Sequence, residues 1–208
     1  MGLNFNYLLY FPKDRLWDVL TVLGTLCEPT GGEPTTIKFP DHELNLPLAI
    51  SWGESQGVPY DLPKYELAIS MVFDEDEAIL EYLSNRGDDL EERSPPEDGS
   101  PNRYAIGFIY LTVYADLEKH YGFDQPNDMV LFEFGTTGTK MSLLFSNSTS
   151  IKKTFIQLLE DHQGISGIFD WEVDYGELFW FRGEAMHFSL SSNYLLPDEI
   201  AAELERGW

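Results

Sequence analysis

Carboxylates are the most abundant side chains in this sequence that could do chemistry, and two of their clusters could form a site. Asp74, Glu75, Asp76 and Glu77 are consecutive, while Asp170, Glu172 and Asp174 alternate with other residues. Clustered carboxylate oxygens suit hard cations, and the second group begins like a calcium loop, whose first ligands fall at positions 1, 3 and 5. That pattern then fails, because Tyr175 stands where the loop needs glycine and Phe181 where it needs the bidentate glutamate. The first group has an ordinary explanation: acids in the first turn of a helix complement the positive end of its dipole, and adjacent residues do not face each other. On a strand, the second group places three carboxylates on one solvated face and Trp171 and Val173 on the other. A pair of carboxylates beside aromatic faces suits glycoside cleavage. Asp170, Glu172, Asp174 and Glu177, beside Trp171, Tyr175 and Trp180, are therefore the basis of a hydrolase alternative.

Other motifs fail on spacing. Gly135-Thr136-Thr137-Gly138-Thr139-Lys140 follows an apolar run, but a phosphate loop reads G-x-x-x-x-G-K-[ST]. Here the second glycine comes early and Lys140 does not follow it. A hairpin turn into a following strand is expected instead. His42, His120, His162 and His187 are too far apart for a local ligand pair, and Cys27 has no sulfur partner. No G-x-S-x-G elbow marks a nucleophile. No metal and no cofactor is expected.

The charge balance excludes further classes. With 36 Asp and Glu against 13 Lys and Arg, the formal net charge is −23. Nucleic-acid binding needs basic side chains to displace counterions, so no nucleic-acid ligand is expected. An anionic leaflet would repel the chain, and the longest uncharged apolar run, the twelve residues from Tyr104 to Ala115, is too short to span a bilayer. No membrane association is expected. No basic residue precedes Lys13 and the N-terminal segment has no continuous apolar region, which does not read as a secretory signal. With a single cysteine, this makes the cytoplasm the expected compartment. Apolar residues make up 43% of the chain, enough for a core.

The elements that must position these residues follow from periodicity. Leu3, Phe5, Tyr7, Leu9 and Phe11 alternate with Asn4 and Asn6, predicting a half-buried first strand that Pro12 stops. Leu16, Val19, Leu20, Leu23 and Cys27 predict a helix. Strands are predicted at 36–39, 46–52 and 65–73, then a helix that Asp74 caps and Gly87 ends. Residues 86–102 carry almost only charged and turn-forming side chains and predict a mobile acidic loop. A strand over 104–115, a hairpin of 129–134 with 140–145, and a helix over 150–162 come next. Strands at 168–173, 177–181 and 186–190 follow, and a last helix opens at Pro197.

The expected fold class is α+β, mostly antiparallel sheet with three to four covering helices, as one compact domain over 1–208. The alternative is two similar strand-helix-strand-strand halves, 1–88 and 103–208. In that alignment Leu8, Leu9, Tyr10, Leu16, Leu20 and Leu23 match Leu143, Leu144, Phe145, Ile151, Phe155 and Leu158 at a constant offset of 135. The expected function is non-catalytic binding of a basic protein partner, of inhibitor or immunity type, because a strong charge excess steers encounter with cationic surfaces. Its expected contact residues are Asp74, Glu75, Asp76, Glu77, Asp170, Glu172 and Asp174, with the acidic 88–98 stretch. The carboxylate hydrolase is one alternative, and a subunit or scaffold of a larger assembly is the other.

Overall fold

The computed structural model describes residues 2–28, 35–46, 49–50, 58–87, 101–117, 128–173, 175–192 and 195–207. Asp174, His120 and the 88–98 stretch lie outside them. The fold is α+β with mostly antiparallel sheets.

The first strand, β1 (Asn6–Pro12), becomes the centre of the molecule. It pairs antiparallel with β10 (Met129–Gly135) on one side and β11 (Ser166–Asp170) on the other. Beyond β10 come β9 (Ile109–Tyr114), β6 (Lys64–Ile69) and the two-residue β4 (Ala49–Ile50). Beyond β11 come β12 (Gly176–Phe181) and β13 (Glu184–Leu190), completing eight strands. Strands from before and after residue 102 thus interleave in one sheet. Two smaller sheets join β2 (Thr35–Lys38) with β3 (Glu43–Leu46) and β5 (Val58–Pro59), and β7 (Val72–Asp74) with β8 (Arg103–Ala105).

Side chains alternate across the large sheet and feed two cores. Tyr7, Leu9 and Phe11 of β1 join Phe132, Phe134 and Phe169 on one face. That face is covered by α1 (Leu16–Thr25), α2 (Glu77–Arg86), α3 (Thr139–Asn147) and α4 (Thr149–Asp161), whose buried apolar residues belong to the same core. Leu8 and Tyr10 face the other way, with Leu131, Ile168 and Leu178, beneath Ile200 of α5 (Pro197–Arg206). β1 is consequently buried on both faces rather than half-buried, because its even positions 8 and 10 are also apolar. At the centre of the helix-covered core, the Phe155 ring lies 4.5 Å from that of Tyr7 and 4.7 Å from that of Phe134. Gly167 lets α4 settle there: a Cβ would lie 2.6 Å from Phe179 Cζ and 2.7 Å from Leu159 Cδ1.

Three expectations are corrected. Residues 140–145 are not a strand; they lie in α3, with Met141, Leu144 and Phe145 buried at i, i+3 and i+4 spacing. The hairpin is therefore absent, the described helices number five, and the 135-residue offset matches Leu8 to Tyr10 of a strand with Leu143 to Phe145 of a helix, while Leu16, Leu20 and Leu23 match Ile151, Phe155 and Leu158 helix with helix. The run from Tyr104 to Ala115 is two strands, β8 and β9, in different sheets. Gly107, with φ 98°, turns the chain between them, and Arg86 Nη1 donates to the Ile106 carbonyl at 2.9 Å. The predicted strand over 65–73 divides in the same way, into β6 and β7.

Candidate functional site

The run Asp74 to Glu77 is not one acidic turn. Asp74 still belongs to β7, where Arg103 stands opposite and its Nε lies 3.6 Å from the carboxylate. Glu75 exchanges bonds with Asn102: its N–H donates to the Asn102 carbonyl at 2.7 Å, and its carboxylate accepts from Asn102 Nδ2 at 3.1 Å. The cap of α2 is Asp76, not Asp74: Oδ1 accepts from the Ile79 N–H at 2.9 Å. Its other oxygen accepts from Ser148 Oγ at 2.7 Å and the Ser150 N–H at 2.9 Å, at the start of α4. One carboxylate thus serves two helix starts. Its burial opposes ionisation, but the N–H groups of Ser150 and Ile79 and the hydroxyls of Ser148 and Thr149 outweigh it. Together they hold the carboxyl below the usual aspartate value.

Ser148 completes the junction. It is the last cap of α3 and the first of α4, where its Oγ accepts from the Ile151 N–H at 3.1 Å. At the opposite end of α3, Lys140 Nζ donates to the Asn85 carbonyl of α2 at 3.4 Å. Pinned at both ends, α2 and α3 enclose a groove of about 510 Å³. Its deeper lining is Ala78, Tyr82 and Leu144, buried or half-buried; its rim carries Glu77, Glu81 and Leu143, all exposed. Among the described residues, neither the Glu77 nor the Glu81 carboxylate has a hydrogen-bond or ion-pair partner.

The second cluster does not form a solvated strand face. Asp170 is buried, at 3% exposure, and accepts from the Glu172 N–H at 2.8 Å and from Asn6 Nδ2 at 3.4 Å. β11 ends there, and Glu172, with φ 58°, lies in a bend where its carboxylate accepts from the Asn4 N–H at 2.8 Å. Periodicity misled because the alternation continues past the end of the strand.

Of the four carboxylates of the hydrolase alternative, Asp174 lies outside the described residues, and Asp170 and Glu177 do not converge. Asp170 shares its strand face with Ile168, which packs in the α5-side core. Glu177 sits on the helix side, with Lys152 Nζ of α4 at 2.8 Å and His187 Nδ1 at 3.0 Å. Burial raises the Glu177 pKa, but the Lys152 ammonium and the hydrogen bond with the His187 ring outweigh it and hold the carboxyl below the usual range. The two groups face opposite sides of the sheet and do not share one bond to cleave.

A helix, not a strand, does follow the glycines at 135 and 138, but its first turn is closed by the chain's own N-terminal segment. The Leu3 N–H donates to Thr139 Oγ1 at 3.0 Å, and Ser142 Oγ donates to the Leu3 carbonyl at 2.7 Å. Among the described residues no group of three His, Cys, Asp or Glu side chains could hold a metal. No helix among them is long and apolar enough to cross a membrane. Burial pushes the Cys27 thiol up to about 12.

Of the expected contact residues that are described, only Glu77 fronts the groove with a carboxylate unused by the fold. Glu81, Tyr82 and Leu143 were not singled out as binding residues. The i, i+4 pairs Glu77/Glu81 and Ala78/Tyr82 were visible signals within α2; Leu143 was hidden by its assignment to a strand. No protein-family model, no curated protein and no solved structure matches this chain.

Proposed function

We propose that this protein is a non-catalytic cytoplasmic binding module, of inhibitor or immunity type, for a basic protein partner. The observation that carries the reading is the use made of the cations. Against a net charge of −23, Arg15, Lys64, Arg103, Lys152 and Arg182 are each engaged with acids of the same chain. Arg86 and Lys140 are turned onto backbone carbonyls. The excess acid is left uncompensated for a partner, and such a field speeds encounter with a cationic surface. The hydrolase alternative, a carboxylate pair among Asp170, Glu172, Asp174 and Glu177, gains nothing from Asp170 with Glu177, which face opposite sides of the sheet.

Affinity capture from native lysate at about 50 mM and about 500 mM salt tests the reading, since screening acts on exposed charges over this range. A retained protein with pI above about 9, released at the higher salt, is expected. Retention of neutral or acidic partners, unaffected by salt, overturns it.

A further inference from the structure

We infer that the groove between α2 and α3 is where a basic polypeptide segment docks, seating an apolar side chain between Tyr82 and Leu143 and placing Lys or Arg against Glu77 and Glu81. This rests on the basic-partner reading above and adds where the partner is held.

Shape, charge and rigidity point to the same occupant. At about 510 Å³ the groove has the volume of a small ligand site, enough for one or two large side chains. Leu143 is 47% exposed. A single exposed leucine is ordinary on a protein surface. This one stands at the mouth of a concavity whose depth is apolar, where a partner's side chain would remove both from water.

The rim selects the partner by charge. Glu77 and Glu81 are one helical turn apart on α2, about 6 Å along its axis. Neither is neutralised among the described residues. The cation of the lining, Lys140, sits beside the other end of α2 with its ammonium on the Asn85 carbonyl. An anionic ligand would meet two unscreened carboxylates; the third acid of the lining, Asp76, is spent on the two helix starts, and no group of three acidic, thiol or imidazole side chains among the described residues could hold a metal ion. Cationic side chains spaced by about 6 Å on a chain that also carries an apolar residue satisfy both the rim and the depth.

The groove is also preformed. Asp76 with Ser148 ties one end, and Lys140 with the Asn85 carbonyl ties the other. Binding therefore does not have to order α2 against α3, which lowers the cost of association.

The test titrates the full chain, isotopically labelled for NMR, with two probes: a synthetic amphipathic peptide of leucine and lysine, and oligolysine of equal charge. The expected result is that peptide-induced shifts concentrate on α2 and α3 and that oligolysine binds about tenfold or more weakly, a measurable gap in Kd. The variants Glu77→Gln with Glu81→Gln, and separately Leu143→Ser, change exposed side chains only, and each should weaken the peptide by about tenfold. If both probes bind equally and the variants change nothing, the groove is not the site while the basic-partner reading survives. If neither probe binds at low salt, the acidic surface does not attract cationic chains and both fall.

Discussion

Asp76 accepts hydrogen bonds from two helix starts at once, through different oxygens, and asparagine has only one oxygen to offer. Asp76→Asn should therefore retain one cap and lose the other, costing about 1 kcal/mol, whereas Asp76→Ala should lose both and cost about 2 kcal/mol. Urea denaturation of the two variants measures the difference; equal losses would show that the carboxylate acts by charge alone. Because its folded-state pKa is depressed, the ionised form is favoured by folding. Its contribution is complete above the ordinary aspartate value of about 4 and is lost as pH falls through the lower folded value. The acid limb of the stability curve should be shallower in Asp76→Asn. The sequence pointed to Asp74 as the cap, two residues too early. The difference falls to the β7·β8 pairing, which holds Asp74 in a strand opposite Arg103 and so delays the helix.

At the scale of elements, packing decides where a short apolar run is ambiguous. Met141 to Phe145 fits a strand by composition, and a run of that length carries no decisive period. It becomes helical because Met141, Leu144 and Phe145 can then enter one core together while Lys140 and Leu143 stay outside. The groove depends on that outcome, since a strand would not have placed Leu143 across from Tyr82. α4 was legible from its apolar spacing as a helix over 150–162, within a residue of its bounds, whereas its cap, Ser148, was not singled out. The docking distance of α4 was not legible, because it depends on Gly167 one layer below. Gly167→Ala should force Phe179 and Leu159 apart and cost about 2 kcal/mol, by the usual penalty for overpacking. A thermal melt checks this, and an unchanged Tm would mean that α4 can lift from the sheet without loss.

For the whole molecule, a net charge of −23 acts against compactness, because like charges repel across a low-dielectric body. Salt screens that repulsion, so raising NaCl from about 10 mM to about 0.5 M should raise Tm by about 2–4 °C, the shift that about 1 kcal/mol produces at this size. A Tm that falls instead would show that the internal ion pairs, such as Lys152 with Glu177, outweigh the repulsion. The amino-acid sequence by itself determined the α+β class, the strand-to-helix opening, the terminal helix at Pro197 and the acidic character. Each of these follows from local periodicity, from turn residues, or from composition. Only the tertiary structure decided that β1 lies between β10 and β11, that Asp170 and Glu177 face opposite sides of the sheet, and that Glu77 and Glu81 front a groove. Those are relations between residues far apart in the chain. They are set by which apolar faces can be buried together, and no local pattern carries that information.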